Sequence, residues 1–135
     1  MRRRDPDMPR PADATQISTD PQKFSYSASL GRKGLLVVMS RAGFGITFVI
    51  DRPSVVLGRQ KDCEFVIDDP LLSRRHCLIT VDKDGDFCIE DLNSTNSTML
   101  NSRTLKKKTR LQYGDRIVLG NTIVRFYLEE ELGKK

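Results

Sequence analysis

The chain contains no tryptophan, a single histidine, three cysteines and few aromatic residues, and it has no long apolar run. Each shortage removes a class of function. A bilayer span needs about 20 mostly apolar residues; no stretch approaches that, and the opening MRRRDPDMPRPAD lacks the apolar centre of a secretion signal. The expectation is a soluble, cytoplasmic protein with no membrane partner. Cys63, Cys77 and Cys88 are odd in number, lie in or beside apolar runs and show neither CxxC nor paired-histidine spacing. They read as small core residues in a reducing compartment, with no metal and no cofactor expected. One histidine must serve any acid–base step alone, and there is no GxSxG elbow, no HExxH and no P-loop lysine. An enzyme is therefore not expected.

Positive charge and short apolar runs are what the chain does have. Its 135 residues, 38% of them hydrophobic, suit one domain with one core. The formal net charge is +5, yet Arg2, Arg3, Arg4 and Arg10 balance Asp5, Asp7, Asp13 and Asp20, so the excess lies further along. A basic domain attracts nucleic acid, anionic lipid or phosphorylated protein, and charge alone does not choose among them. Residues 1–34 are rich in Pro, Asp, Ser, Thr and Arg without a periodic apolar pattern, the mark of a flexible N-terminal tail. From Leu35 onward LLVVM, ITFVI, SVVLG, EFVI, CLITV, FCIED, RIVLG and TIVRFYL alternate with turn signals such as RAGFG, DRP, DKDGD and YGD. Runs of about four to seven residues are normal for strands and too short for stable helices. The expected fold is all-β: a two-sheet sandwich of short, mostly antiparallel strands over residues 35–128. DKDGD reads as a tight hairpin with Gly85 at positive φ. The closing residues 129–135 read as a linker or the start of a helix leading to a further domain.

The stretch PLLSRRHCLI, residues 70–79, sets Ser73, Arg74, Arg75 and His76 in front of an apolar run. Ser73 and His76 invite a nucleophile–base pairing. A lone histidine leading into a strand is more often a buried strut that pins its own loop, and that reading is preferred. Binding is what remains, carried by three separated segments: VVLGRQKDCEFVID, where a strand ends at Gly58 and presents Arg59; DDPLLSRRHCLI; and EDLNSTNSTMLNS with the later LQYGDRIVLG. Gly58-Arg59, Ser73 to His76, Ser94 to Thr98 with Asn101, and Gly114 to Gly120 together resemble the forkhead-associated (FHA) domain, a family of small β-sandwiches that bind phosphothreonine peptides. The resemblance runs from about Leu35 to Leu128. Each motif alone is weak; the four in order are specific.

The chemistry of such a pocket follows from the ligand. A phosphothreonine carries about −1.5 to −2 charges and three acceptor oxygens, so its reader needs a fixed cation and several neutral donors. The planar fork of Arg59 suits two phosphate oxygens and stays charged, while Ser73 and Thr95 hydroxyls and loop N–H groups can complete a cradle. The resemblance implies that Arg59 and Ser73 hold the phosphate, Thr95 assists, Asn96 grips the peptide backbone and Arg74 flanks the phosphate, with Arg75 left open. It also implies that His76 braces the serine loop, and that Gly58, Asp115 and Gly120 form turns rather than ligand contacts. A small niche for the threonine γ-methyl is implied too, worth about 0.8 kcal/mol by transfer. The chain departs from the family pattern at Ser97 and Ser102, where glycine is common; a positive φ at either would strain serine.

In ATQISTDPQ, Thr15 and Thr19 sit in a polar setting open to a kinase. The bland reading is an inert extension; the sharper one places a phosphorylated Thr15 or Thr19 in the domain's own pocket, in cis or in a neighbouring molecule. The expected function is a phosphothreonine-dependent protein–protein interaction module in intracellular signalling, with a covalently attached effector domain as a further partner. Two rivals remain. A basic nucleic-acid binder would use the run from Lys106 to Arg110, although no interleaved aromatic platform supports it and such a run is usually a solvated loop or strand edge. A phospho-independent scaffold would keep the sandwich alone.

Overall fold

Period-two burial turns the apolar runs into strands. In the computed structural model, which describes residues 32–129, eleven strands follow in chain order: β1 (Gly34–Val38), β2 (Thr47–Ile50), β3 (Ser54–Gly58), β4 (Phe65–Val66), β5 (Cys77–Val81), β6 (Phe87–Asp91), β7 (Thr98–Leu100), β8 (Arg103–Thr104), β9 (Thr109–Arg110), β10 (Arg116–Leu119) and β11 (Thr122–Leu128). In β11 the side chains of Thr122, Val124, Phe126 and Leu128 are buried while Ile123, Arg125 and Tyr127 alternate with them on the outer face. Three strands were not anticipated: β7, β8 and β9 are only two or three residues long, too short to carry an apolar alternation, and β8 and β9 are wholly polar. They form because neighbouring strands offer them unpaired backbone groups.

The strands make two sheets, ordered β2-β1-β11-β10-β7-β8 and β4-β3-β5-β6-β9. Every pairing is antiparallel except β3 with β4. Between the sheets lies one core, in which Leu36, Ile50, Leu57, Ile79, Ile89, Ile117, Leu119, Val124 and Phe126 are wholly excluded from solvent. Phe87 tilts against Phe126 with ring centroids 5.3 Å apart. Burial of each such side chain contributes about 1.5–3 kcal/mol. Cys63 and Cys77 are buried and Cys88 half-buried, all three as free thiols. Burial pushes the Cys77 thiol up, which keeps it unreactive. Among the described residues no helix is long and apolar enough to cross a membrane.

Strand directions sort the connections into two ends. Strands β1, β3, β4, β6, β8 and β10 run toward one end, so residues 39–46, 59–64, 67–76, 92–97, 105–108 and the turn at Gly120-Asn121 gather there. The opposite end holds residues 51–53, the 82–86 hairpin turn, Asn101-Ser102 and residues 111–115. The chain enters β1 at this second end, where Arg32 Nη2 donates to the Gly85 carbonyl at 3.1 Å. Apart from Arg32, Lys33 and Gly34, the segment expected to be a tail lies outside the described residues, as do Thr15, Thr19 and residues 130–135.

Candidate functional site

The site begins where β3 ends. A Cβ at Gly58 would lie 2.1 Å from the Arg74 carbonyl oxygen, so the 73–75 backbone rests directly on this residue. The sequence ends a strand at Gly58, and the structure does the same; what the glycine supplies there, beyond a turn, is room for that close approach. The contact lets the two loops bond: Arg59 N–H donates to the Ser73 carbonyl and Gln60 N–H to the Arg74 carbonyl, both at 3.1 Å. Arg59 Nε also donates to the Leu72 carbonyl at 3.0 Å. Its guanidinium is thereby tethered at one corner, while the rest of its fork has no acceptor among the described residues.

Ser73 is fixed at three atoms. Its carbonyl takes Arg59, its N–H donates to His76 Nδ1 at 3.0 Å, and its Oγ accepts the Thr95 N–H at 2.9 Å. An accepting hydroxyl keeps its own hydrogen available. His76 is completely buried. Because Nδ1 accepts, the neutral ring carries its hydrogen on Nε2, which donates to the Ser97 carbonyl at 2.8 Å. The His76 backbone binds Leu57 on one side and Leu92 on the other, so this residue joins the strand end and both loops. It meets the backbone of Ser73 and not the hydroxyl, and no nucleophile–base hydrogen bond forms between them.

The third loop is shaped from within. Asp91 accepts the Ser94 N–H at 2.9 Å, the Ser94 hydroxyl at 2.6 Å and the hydroxyl of buried Thr98 at 2.7 Å. Burial works to raise the Asp91 carboxyl pKa, but the combined hydrogen bonds from Ser94 and Thr98 hold it below the usual range. Asn96 reaches across, donating from Nδ2 to the Leu71 carbonyl at 2.8 Å. Thr95 is exposed, and its backbone rather than its hydroxyl makes the contact to Ser73. Ser97 and Ser102 both adopt positive φ, at 65° and 73°, so both carry the strain that glycine would avoid.

A buried anchor holds the middle loop from behind. Asp69 accepts the Leu71 N–H at 2.9 Å, the Asn121 N–H at 2.8 Å and the Thr122 hydroxyl at 2.8 Å. Burial opposes its charge, yet these three donors outweigh burial and its carboxyl is held low. Neither Asp69 nor Asp91 was singled out from sequence. Asp91 had a local signal in its spacing to Ser94; Asp69 had only a local turn before Pro70, and two of its partners lie more than 50 residues away. Asp115 and Gly120 sit in turns, Asp115 accepting the Gln112 N–H at 2.7 Å and the Asn101 amide at 2.9 Å at the far end.

The outcome is a solvent-facing cluster of Arg59, Ser73, Thr95 and Asn96 on three cross-tied loops, with Arg74 and Arg75 exposed on the middle one. Among the described residues, Arg59, Arg74 and Arg75 have no carboxylate within ion-pair distance, and the Arg74 N–H has no acceptor. Fixed cations, a spare hydroxyl hydrogen and an open N–H together suit an anion.

Known proteins are similar to this chain in sequence and fold. The chain is 35% identical over 86 residues to the oxoglutarate dehydrogenase inhibitor of Corynebacterium efficiens, covering 64% of this chain and 59% of that protein. It is 34% identical over 92 residues to the mouse proliferation marker protein Ki-67, covering 67% of this chain and 3% of that protein. It thus spans less than two thirds of the length of either relative. A solved structure from work on phosphothreonine-dependent FHA domain interactions superposes with a TM-score of 0.63 at 32% identity, over 70% of this chain and 95% of that one. The family model for the FHA domain matches residues 55–120, from β3 through the turn after β10 and hence across all three pocket loops. On this agreement of motif order, fold and sequence, the chain belongs to the FHA domain family.

Proposed function

We propose that this chain is a phosphothreonine-dependent protein–protein interaction module whose pocket is formed by Arg59, Ser73, Arg74, Thr95 and Asn96 and braced by Gly58 and His76. The observation that carries this reading is the double tether at its centre: Arg59 Nε bonded to Leu72 and Ser73 Oγ accepting from Thr95. Both tethers use the atoms a phosphate does not need and leave the donors it does. A dianion between them gains charge-assisted hydrogen bonds without the side chains first having to order. The module binds and does not catalyse; His76 serves the loop backbone.

The test is a titration of matched phosphothreonine, phosphoserine and unmodified peptides, read by fluorescence anisotropy. Phosphothreonine binds best, phosphoserine roughly tenfold more weakly for want of the methyl contact, and Arg59→Ala costs about 100-fold or more. Equal binding of modified and unmodified peptides, or indifference to Arg59→Ala, overturns the reading.

A finer reading concerns the chain's own threonines: phosphorylated Thr15 or Thr19 fills the pocket and competes with outside ligands, setting when an attached effector domain is engaged. The support is reach. About 13 residues separate Thr19 from Arg32 and extend to about 43 Å, whereas the sandwich, with a longest strand of seven residues, is about 24 Å along that strand. Phosphorylating these threonines lowers affinity for an added phosphopeptide if this holds; unchanged affinity rejects it.

A further inference from the structure

The run from Lys106 to Arg110 has no place in the pocket so far described, yet the topology sets it beside that pocket. Strand β6 pairs with β9 and β7 pairs with β8. The segment 92–97 joins β6 to β7, and the segment 105–108 joins β8 back to β9, so two arches cross the same edge of the sandwich at the same end. The inner arch carries Thr95 and Asn96. The outer arch carries Lys106, Lys107 and Lys108, and it is pinned to the inner one by the Leu105 N–H on the Thr98 carbonyl at 2.8 Å and by the buried Leu105 side chain. Neighbouring strands lie about 4.8 Å apart and an extended ligand advances about 3.3 Å per residue. A peptide held by its phosphate at Ser73 therefore reaches the lysine arch within a few residues.

Charge makes this position matter. The three pocket loops hold four cations, Arg59, Lys61, Arg74 and Arg75, and four anions, Asp62, Glu64, Asp68 and Asp69. The positive surplus of this end thus comes from Arg41 on the 39–46 connection and, three times over, from the lysines. All three are exposed, and among the described residues none has a carboxylate within ion-pair distance. Arg110, by contrast, is spent on Asp86 at 3.2 Å. No arrangement within the described fold uses the lysine charges.

We propose that Lys106, Lys107 and Lys108 form an accessory anion site that selects phosphothreonine ligands bearing further negative charge, as Asp, Glu or a second phosphate, on the flank that crosses the Asn96 arch. This inference rests on the phosphopeptide reading above. The site works through long-range attraction to a mobile flank rather than a shaped pocket, so its contribution is additive in charge and sensitive to salt.

The experiment titrates the chain with four phosphothreonine peptides: neutral flanks, acidic residues on the N-terminal side, acidic residues on the C-terminal side, and a second phosphothreonine. At low salt one acidic flank tightens binding about fivefold to tenfold over the neutral peptide, and the doubly phosphorylated peptide gains at least as much. Raised salt removes the gain. The triple variant K106A/K107A/K108A loses it while binding the neutral peptide within about threefold of the parent, and the triple Lys→Arg variant restores it. Acidic and neutral peptides binding alike, or the triple alanine variant weakening all four by one factor, overturns the accessory site and leaves the phosphopeptide pocket standing. Lysine-dependent binding of duplex DNA with no effect on peptides overturns it in favour of nucleic acid. Acidic peptides that bind without regard to Arg59→Ala or to phosphorylation overturn both readings together.

Discussion

The two ends of the sandwich use the same residue types and are held by different kinds of bond. At the hairpin end, Asp82 Oδ1 accepts the N–H groups of Asp84 at 2.9 Å and Asp86 at 3.0 Å, two and four residues on. At the pocket end, Asp69 accepts from Leu71 nearby but also from Asn121 and Thr122, which are 52 and 53 residues away. A local bond shapes its turn whatever the rest of the chain does; a distant one exists only once the fold has delivered its partner. The hairpin end consists of short turns, and its distant ties, Arg32 to the Gly85 carbonyl and Asn101 to Asp115, are made by exposed or half-buried side chains at the rim. The pocket end consists of longer loops open to solvent, and Asp69, His76 and Asp91 hold them in place from beneath. Rigidity where a ligand lands lowers the entropy lost on binding, which is what a preorganised site requires.

Matched substitutions at the two ends test this contrast, and the glycines show it most strongly. A Cβ at Gly58 meets the Arg74 carbonyl at 2.1 Å, while a Cβ at Gly85 meets nothing within 4 Å. Gly58→Ala is expected to push the 73–75 backbone away, costing about 3 kcal/mol and abolishing phosphopeptide binding. Gly85→Ala, at a φ of 86°, costs about 1–2 kcal/mol from backbone strain alone and leaves binding intact. Urea unfolding with peptide titration measures both. Equal losses of affinity would show that the pocket does not depend on the close approach at Gly58.

The aspartates come next. Asp69→Ala strands the buried Thr122 hydroxyl and the part-buried Leu71 and Asn121 N–H groups, for about 2–3 kcal/mol of lost stability. Asp82→Ala exposes its partners to water and costs about 0.5–1 kcal/mol. Denaturant midpoints check the ratio, and comparable losses would mean that distant anchors add nothing beyond local turn bonds.

What the sequence made legible divides along the same line. Apolar runs at strand length announced β1 to β6, β10 and β11, and DKDGD announced its hairpin, because period-two burial and Asx turns are local properties. β7, β8 and β9 stayed hidden, since two or three residues become a strand only through the partner beside them. In the site, motif order nominated Arg59, Ser73 and Asn96, which the fold places on adjoining loops. Asp69 went unread because its place before Pro70 and its bond to the Leu71 N–H mark only a local turn, while the partners that make it an anchor, Asn121 and Thr122, come from the far side of the chain. Gly58 was read for its conformation when its value is the space above it.

Acid separates the ends more gently. The Asp69 and Asp91 carboxyls sit below the ordinary aspartate value in the folded chain, burial being outweighed by their hydrogen-bond donors. Below about pH 4 the unfolded chain therefore binds more protons than the folded one. The stability these two groups contribute is fully present above the unfolded value and is lost as pH falls through their folded values. Unfolding midpoints followed from neutral pH downward should show an acid limb that Asp69→Asn flattens. A limb of unchanged slope in that variant would assign the acid sensitivity elsewhere.

The smallest expected effect is a gain. Ser97 at the pocket end and Ser102 at the hairpin end both hold positive φ, a conformation costing roughly 1 kcal/mol or more for a residue with a Cβ. Glycine removes that strain but adds freedom to the unfolded chain, worth about 0.4–1 kcal/mol in the opposite direction. Ser102→Gly should therefore stabilise the domain by about 0.5 kcal/mol. Ser97→Gly should gain similarly in stability, because the carbonyl that receives His76 Nε2 is backbone and survives the change. Phosphopeptide affinity then discriminates between the ends. If the loop is held by His76 and Asp91 rather than by its own side chains, affinity in Ser97→Gly stays within about twofold of the parent, a difference of about 0.4 kcal/mol. A larger loss would place the rigidity of the inner arch in residue 97 itself and shift the weight of the argument from buried anchors to local backbone preference.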